Sequence, residues 1–481
     1  MSDYNKKDIQ DIIQKLKKIA ETGIAQNDME KALQAVAACA KIQYFWLQQY
    51  TDDDLEKMVG EIARSYPGSK YETDPETVIF YDEPGFDMRA LSIVYLKGLA
   101  MAGFRVVFIT RSESKEKQPI LHKALQDYSI IYEYYPMNVS YGSQIRNFSS
   151  LILKYRPFAV IAHSNAFDPV WPAVFSAFSG SFERYVVNLT DHGFWLGKNC
   201  IDYVLEFRNY GASVSLDYRK LPLSKLIKLP YYPYIDKTIE FQGLPFDENS
   251  RFIFTGGSLY KTLSEDHKYY RMVGTLLEEF PDLKYLYAGY GDDTDLRAMS
   301  DQFPGRVFHI KERTDLYQIM KRCTIYMNSY PVVGGLMTQY AVASGKLPLT
   351  LNHAGRANGM LIDDERSGVI FTDSEKLMDE ARRLLSDEAY LAQRSQEIER
   401  EVLTPEQFSR ELHAALTQHK TSFEITHLVL NVESVHKEHE YSFSESNLYR
   451  AITQKKHKKL IRYFPLLFIR KVKNRILKKK K

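Results

Sequence analysis

Residues 324–351, TIYMNSYPVVGGLMTQYAVASGKLPLTL, constrain the fold more than any other stretch of this sequence. The apolar run Ile325–Met327 is typical of a buried parallel strand. Paired glycines then precede a helical pattern, Leu336–Ser344, which Gly345 ends, and a second strand begins at Pro348. The stretch therefore predicts a strand–loop–helix–strand unit, in which the free N–H groups at the helix start attract an anion.

The same alternation of strand and helix patterns extends in two series, which begin at Thr77 and Phe252. Strands that alternate with helices predict parallel sheets covered on both faces, with ligands beyond the carboxyl ends of the strands. The Pro/Tyr cluster at 229–234 resists helix formation and separates the two series. Both series together predict an α/β protein with two Rossmann-like domains.

We divide the 481 residues into four segments on these patterns. A helical N-terminal segment (1–70), with helix starts predicted at Asn27 and Thr51, precedes a Rossmann-like domain (71–232). A second Rossmann-like domain (233–420) and a C-terminal extension (421–481) follow.

Charge is distributed unevenly along the chain. The net charge is +3, yet residues 450–481 hold fourteen Lys and Arg and no acidic residue, which leaves −11 on residues 1–449. An acidic body argues against nucleic acid as a partner, and a basic tail favours an anionic surface. The N-terminus lacks the apolar core of a signal peptide, no apolar run approaches the about 18 residues of a membrane span, and the three cysteines form no metal or redox pattern. We expect a cytoplasmic protein.

The run Gly335–Pro348 resembles the nucleotide-sugar signature of GT-B glycosyltransferases, roughly G-L-x-x-x-E-A-x-A-x-G-x-P. It departs from that pattern at Tyr340 and Val332, where many retaining members carry glutamate, so the stereochemical outcome stays open. The chain resembles family 4 (group 1) glycosyltransferases that act on bacterial surface polysaccharides. The resemblance implies two Rossmann-like domains that face each other across a cleft, with the nucleotide held by the C-terminal domain.

The resemblance also implies the residues that bind the donor. The first strand of the second domain ends in a glycine turn, where Gly256 and Gly257 admit phosphates and Lys261 meets the diphosphate, although such a turn also occurs without a ligand. The nucleotide base is expected near Lys311. The full candidate set for the nucleotide sugar is Gly256, Gly257, Ser258, Lys261, Gly289, Lys311, Asn328, Gly334, Gly335, Leu336, Met337, Thr338 and Gln339.

The segment Thr190–Gly197 follows a predicted strand of the first domain and contains the catalytic candidates. A histidine side chain has an unperturbed pKa of about 6.5, a value that suits general-base catalysis at neutral pH, so His192 is the candidate base. Asp191 either orients His192 or is itself the base. Several GT-B enzymes place a functional histidine at this point. Alternatively, His192 caps a turn while the neighbouring aromatic residues fill the core. Gly85, after the first strand, is the candidate for an acceptor-side loop.

No metal or other cofactor is expected. Asp293–Asp295 forms a D-x-D triplet, but such triplets are frequent, and here we interpret it as the start of a solvated helix. The twelve histidines show no metal-ligand spacing. Two other functions share this architecture: nucleotide-sugar 2-epimerases and non-catalytic scaffolds that keep the fold. We favour sugar transfer from a nucleotide diphosphate sugar to a saccharide acceptor.

The basic tail, residues 460–481, shows an amphipathic helical pattern that is too short to span a bilayer. Such a helix lies in the interface of an anionic membrane, although a solvated or RNA-bound tail is the alternative. The membrane candidates are Ile461, Phe464, Phe468, Arg470, Lys471 and Lys473. We therefore expect peripheral association with the inner face of the cell membrane and a lipid-linked saccharide as the acceptor.

Overall fold

The structure is a computed structural model that describes residues 6–83, 90–111, 119–136, 139–236, 238–264, 266–311, 313–352, 369–399, 402–467 and 469. The chain divides into two compact units. The first unit comprises Met1–Leu229 together with Glu406–Lys481, and the second comprises Pro230–Pro405. Each unit is built around one parallel sheet, as the alternating sequence pattern predicts.

Seven parallel strands form the sheet of the first unit. They are β1 (Asp74–Asp82), β2 (Arg105–Thr110), β3 (Ile131–Tyr134), β4 (Pro157–His163), β5 (Glu183–Val187), β6 (Tyr203–Glu206) and β7 (Leu226–Lys228). Their order is β3-β2-β1-β4-β5-β6-β7. The direction of the chain across the sheet therefore reverses between β1 and β4, which is where open parallel sheets bind ligands.

Helices that connect these strands, or precede them, belong to the same unit. They are α1 (Lys6–Ala25), α2 (Met29–Phe45), α3 (Asp53–Ala63), α4 (Ala90–Met101), α5 (Pro119–Asp127), α6 (Tyr141–Tyr155), α7 (Val170–Ala177) and α8 (Asn209–Asp217). The predicted helix starts are off by one residue, because the carboxylates of Asp28 and Asp52 accept the backbone N–H bonds that begin α2 and α3.

Six parallel strands form the sheet of the second unit. They are β8 (Phe252–Gly256), β9 (Lys284–Ala288), β10 (Val307–Ile310), β11 (Ile325–Met327), β12 (Pro348–Leu351) and β13 (Ile370–Phe371). Their order, β10-β9-β8-β11-β12-β13, reverses between β8 and β11. The helices are α9 (Lys268–Glu279), α10 (Thr294–Gln302), α11 (Leu316–Arg322), α12 (Gly335–Ala343), α13 (Ser374–Ser386) and α14 (Glu388–Glu399).

The chain after Pro405 returns to the first unit as α15 (Pro405–Gln418), α16 (Val432–Ser442), α17 (Glu445–Ile452) and a short 3-10 helix (Lys458–Tyr463). The sequence analysis places residues up to 420 in the second domain. In the structure α15 packs on α4 instead, since Gly98 leaves room for the Phe408 ring and Ser409 donates to the Gly98 carbonyl oxygen at 2.9 Å.

The beginning of the basic tail is part of the folded first unit. Phe464 was predicted to face a membrane, but its side chain is 7% exposed and lies under the Lys15 ammonium, 4.8 Å from the ring centroid. Ile461 is half-buried. The other four membrane candidates, Phe468, Arg470, Lys471 and Lys473, lie outside the residues whose side chains the structure describes. Within the described part of the chain, no helix has the length and apolar character to cross a bilayer.

Candidate functional site

The carboxyl ends of β8, β9, β10 and β11 lie at one edge of the second sheet, because the strands are parallel. The edge includes the β8–β11 reversal, so the segments that follow these strands line the place where a ligand is expected. The predicted donor-site residues Gly256, Gly289, Lys311 and Asn328 each stand at or directly after the end of one of these strands. The topology therefore brings together residues that are up to 72 positions apart in the sequence.

Glycines allow the backbones at this edge to approach one another. Gly257 donates its N–H to the Ala288 carbonyl oxygen at 2.9 Å, and a Cβ atom on Gly289 would lie 1.8 Å from the Gly257 carbonyl oxygen. A Cβ atom on Gly256 would lie 2.6 Å from Cε of Met337 in α12. Gly289 therefore excludes a larger residue, because backbone atoms already occupy the space that a side chain needs, whereas the Met337 atom beside Gly256 is the movable end of a side chain.

Lys261 follows this turn and is half-buried. Burial lowers the pKa of its ammonium group. No carboxylate of the described residues lies within ion-pair distance of the Lys261 ammonium, whereas its backbone carbonyl oxygen accepts the Val332 N–H at 3.2 Å. A partly desolvated cation without a counter-ion favours the binding of an anion.

Asn328 organises the loop that leads into α12. Its Oδ1 accepts the N–H groups of Ser329 and Gly334, each at 3.0 Å, and its Nδ2 donates to Thr338 Oγ1 at 2.8 Å and Thr350 Oγ1 at 3.1 Å. Both Nδ2 hydrogens are thus engaged inside the protein. Asn328 positions the helix start, and a direct contact between its amide and a nucleotide stays a prediction.

The first turn of α12 combines buried and exposed candidates. Met337, Thr338 and Gln339 have buried side chains, whereas Leu336 is 46% exposed. Gly334 is the N-cap residue of α12 and has no side chain that could accept hydrogen bonds from the first turn of the helix. The N–H groups of that turn are therefore available to an anion. Ser258 and Lys311 are exposed at the same edge.

Tyr340 stands where many retaining GT-B members have glutamate. Its hydroxyl donates to the Tyr234 carbonyl oxygen at 3.2 Å, and its ring packs against Tyr317. Gln339 beside it donates from Nε2 to the Tyr231 carbonyl oxygen at 3.0 Å. Both side chains therefore attach α12 to the segment that opens the second unit.

In the first unit, the loop after β5 presents the two catalytic candidates differently. Asp191 is buried. Arg208 donates two hydrogen bonds to its carboxylate, from Nε at 2.5 Å and from Nη2 at 2.9 Å. Burial alone would raise the pKa of Asp191, but the charge of Arg208 and the bonds from His192 and Arg208 hold it well below the usual range. His192 Nδ1 lies 3.2 Å from Asp191 Oδ1, and the His192 side chain is 49% exposed. The geometry favours Asp191 as the group that orients His192 rather than as a base.

Three residues that the sequence analysis did not single out hold this loop. Arg219 donates from Nη2 to the carbonyl oxygens of Thr190, Asp191 and Gly193 at 2.8–3.1 Å. The Glu56 carboxylate of α3 accepts the Gly197 N–H at 2.7 Å, and Arg208 supplies the ion pair described above. Long-range contacts of this kind leave no local sequence signal.

Phe194 and Trp195 are buried, as the alternative interpretation of the segment predicts.

The end of β1 lies at the reversal of the first sheet. Gly85 lies outside the described residues, but the preceding Glu83 forms an ion pair with the buried Arg111. Asp82 accepts a hydrogen bond from Ser92 Oγ at 2.6 Å. Polar side chains are therefore concentrated beside the predicted acceptor loop.

The D-x-D triplet opens α10, as predicted. Asp293 pairs with Arg297 at 3.0 Å, and Asp295 pairs with His267 Nδ1 at 2.9 Å. Among the residues that the structure describes, no group of three or more His, Cys, Asp or Glu side chains could hold a metal ion.

Solved structures share this arrangement of two parallel sheets. A glycosyltransferase from Rickettsia africae matches with a TM-score of 0.52 at 14% identity, over 71% of this chain and 99% of that chain. A putative UDP-N-acetylglucosamine 2-epimerase from Listeria monocytogenes matches with a TM-score of 0.52 at 12% identity, over 72% and 97% of the two chains. The chain has the GT-B fold.

A third GT-B structure, the lipopolysaccharide outer core galactosyltransferase WaaB in its apo form, matches with a TM-score of 0.50 at 14% identity, over 71% of this chain and 99% of that chain. No protein-family model matches the sequence, and no curated protein matches it closely enough to count as a relative. The structural matches establish the GT-B fold. At sequence identities of 12–14% they do not establish the reaction, which is inferred from the site.

Proposed function

We propose that this protein is a glycosyltransferase that transfers a sugar from a nucleotide diphosphate sugar to a hydroxyl group of a saccharide acceptor. The observation that carries the proposal is the half-buried Lys261 ammonium, which lacks a carboxylate partner among the described residues. It follows a glycine turn and shares one sheet edge with the uncapped start of α12. A diphosphate supplies the negative charge that both features attract.

Each part of the site has a role in this reaction. As the sugar–phosphate bond breaks, negative charge develops on the leaving diphosphate, and Lys261 and the α12 N-terminus stabilise it. His192 accepts the proton of the acceptor hydroxyl, while the ionised Asp191 fixes the orientation of its ring through the 3.2 Å contact. No residue of the proposed mechanism requires a metal ion.

The acceptor and the location are part of the same proposal. We infer that the acceptor is a lipid-linked saccharide of bacterial surface polysaccharide synthesis, and that the end of the basic tail holds the protein on the inner face of the cell membrane. Leu466 and Ile469 support a membrane contact, since they are 73% and 60% exposed just before a stretch of twelve residues with eight Lys or Arg.

The test is the binding of nucleoside diphosphates and their sugars to the protein and to Lys261→Ala, measured by calorimetry. Loss of a charge-assisted contact should weaken binding by about 1.5–3 kcal/mol. Lys321→Ala, which removes an exposed lysine of α11 in the same unit, is the matched control and should bind normally. Equal affinity of Lys261→Ala and the parent protein would remove Lys261 from the donor site.

Product analysis separates transfer from the other reactions of this fold. Release of free nucleoside diphosphate that depends on a saccharide acceptor supports transfer. A new epimer of the donor sugar would identify a 2-epimerase instead, the activity named for the Listeria protein. A protein that binds no nucleotide sugar would be a scaffold.

A further inference from the structure

A cavity lies among the three N-terminal helices, which take no direct part in the proposed transfer. It has a volume of about 190 Å³ and is lined by α1, by the end of α2 and by the link to α3. All of these segments belong to the first unit. The lining contains none of the proposed donor-site residues and no residue of the loop that carries His192. The cavity is therefore a candidate for a separate binding site.

Side-chain amides dominate the lining of this cavity. Five of its nine residues are glutamines, namely Gln10, Gln14, Gln43, Gln48 and Gln49. A glutamine amide both donates and accepts hydrogen bonds, as the hydroxyl groups of a sugar do. The lining therefore supplies the two kinds of partner that a polyhydroxylated ligand requires.

The inner amides are held in place by the protein. Gln49 donates from Nε2 to Gln43 Oε1 at 2.5 Å and to Asp52 Oδ2 at 3.0 Å. Gln48 donates from Nε2 to the Leu47 carbonyl oxygen at 2.9 Å and to the His436 carbonyl oxygen at 3.4 Å. Both amide hydrogens of each side chain are thus engaged, which leaves the Oε1 atoms to accept from a ligand. Groups that are fixed in advance lose little entropy on binding.

The charged groups of the lining neutralise each other. Lys17 and Asp52 form an ion pair at 2.7 Å, and the Lys17 ammonium also lies 2.8 Å from Asp54 Oδ2. The lining that the structure describes therefore offers no unpaired cation to a phosphate or a carboxylate. This balance favours an uncharged ligand over an anionic one.

Trp46 supplies a donor that has no acceptor. It is the C-cap residue of α2, its side chain is only 3% exposed, and its indole Nε1 is buried without a hydrogen-bond partner among the described residues. Most buried N–H groups in folded proteins are hydrogen-bonded, so one without a partner in the wall of a cavity indicates an acceptor that binds there. A sugar hydroxyl is such an acceptor.

Two further amides stand at the rim of the cavity. Gln10 and Gln14 are exposed and lie one turn apart on α1, so their side chains share a face of the helix. Because both are on the surface, they can turn towards a ligand and can be replaced without disturbing the core.

We propose that this cavity binds a neutral saccharide. Trp46, Gln10 and Gln14 donate to its oxygen atoms, and the Oε1 atoms of Gln48 and Gln49 accept from its hydroxyl groups. Ile13 and the Trp46 ring form an apolar wall for its C–H groups. The inference depends on the residues of the cavity alone and does not rest on the proposed glycosyl transfer.

The test begins with the full chain on an array of neutral oligosaccharides built from glucose, galactose, mannose, rhamnose and N-acetylhexosamine units. Calorimetry then measures the affinity for the strongest ligand on the array. Gln10→Ala with Gln14→Ala should weaken this binding about fivefold or more, because two hydrogen-bonding groups are lost. Gln126→Ala with Gln418→Ala, which removes exposed glutamines from α5 and α15 of the same unit, is the matched control and should bind normally.

Tryptophan fluorescence adds a measurement that does not depend on the rim variants. The chain has three tryptophans, and Trp46→Phe retains Trp171 and Trp195. Saturation with the saccharide should change the fluorescence of the parent protein and leave that of Trp46→Phe unchanged. His192→Ala and Lys261→Ala should both bind the saccharide with the affinity of the parent protein.

Four results would overturn the proposal. They are an array without binding above background, equal affinity of the Gln10/Gln14 double variant and the parent protein, a fluorescence change that persists in Trp46→Phe, and tighter binding of sulfated or uronic-acid oligosaccharides than of neutral ones. Loss of binding in His192→Ala or Lys261→Ala would move the saccharide to the proposed active site and overturn the separate site. Normal saccharide binding by a protein that binds no nucleotide sugar would support this cavity and contradict only the proposed function.

Discussion

Gly257 and Gly289 lie so close together that a Cβ atom on Gly289 would stand 1.8 Å from the Gly257 carbonyl oxygen. The contact joins the turn after β8 to the turn after β9, and Leu259 continues it by donating its N–H to the Tyr290 carbonyl oxygen at 2.8 Å. Lys261 lies in the same turn. The position of Lys261, the cation proposed to bind the diphosphate, therefore depends on the absence of a side chain at Gly289, after the neighbouring strand β9.

Gly289→Ala should consequently lower the free energy of unfolding by about 1–3 kcal/mol and weaken nucleoside diphosphate binding, since the backbone must move to admit the methyl group. Gly274→Ala is the matched control. A Cβ atom at Gly274, inside α9, would meet its nearest neighbour at an ordinary 3.7 Å. Alanine there should raise stability slightly, by about 0.5–1 kcal/mol. Thermal unfolding and calorimetry measure both effects, and normal nucleotide affinity of Gly289→Ala would separate this turn from the donor site.

His192→Ala should reduce turnover by about 10²–10⁴-fold and leave nucleotide affinity unchanged, because the residue belongs to the first unit and acts on the acceptor. His427→Ala, which removes an exposed histidine of the same unit that pairs with Asp217, is the control. Steady-state kinetics with a saccharide acceptor give the comparison. Activity within a few fold of the parent protein would leave His192 with a structural role.

Asp191 calls for a different experiment, because replacing it leaves the buried Arg208 without its carboxylate. Asp191→Asn should lower the free energy of unfolding by about 3–5 kcal/mol, the cost of breaking a buried ion pair. Denaturant unfolding measures this loss. Stability within about 1 kcal/mol of the parent protein would contradict the buried bidentate pair.

Glu206 should make stability depend on pH. It is fully buried, and burial raises its pKa from 4.5 to about 7. Between these values the folded protein binds more protons than the unfolded chain, so the contribution of Glu206 to the free energy of unfolding falls as pH rises, by up to about 1.4 kcal/mol per pH unit. The stability of the parent protein minus that of Glu206→Gln should therefore decrease from about pH 5 to about pH 8. A constant or rising difference in denaturant titrations would contradict this assignment.

Removal of residues 470–481 should abolish flotation with anionic vesicles and leave nucleotide binding intact, because it deletes eight Lys or Arg and keeps the buried Leu460 and Phe464. A deletion that begins at Ala451 is unsuitable, since it exposes the surface of α2 that the C-terminal segment covers. Vesicles of neutral lipid are the control. Equal flotation of the truncated and full-length protein would exclude the end of the tail as the membrane contact.

The sequence by itself determined the two parallel sheets, because alternating strand and helix patterns report on local periodicity and burial. It located β11 at its observed bounds, Ile325–Met327, and the start of β12 at Pro348. It missed β6 and β7, whose short runs lie in a polar stretch, and β13, which has only two residues. Such strands are stabilised by pairing with a neighbour, so their own residues carry little signal.

Only the tertiary structure decided how the candidate residues are used. The pattern around Asp191 does not show that Arg208, seventeen positions later, holds it ionised, or that Glu56 and Arg219 fix its loop. A helical projection of the tail does not show that Phe464 is buried against α1. Local sequence determines which segments become helix or strand, whereas burial and ion pairing arise between residues far apart in the chain and depend on the complete fold.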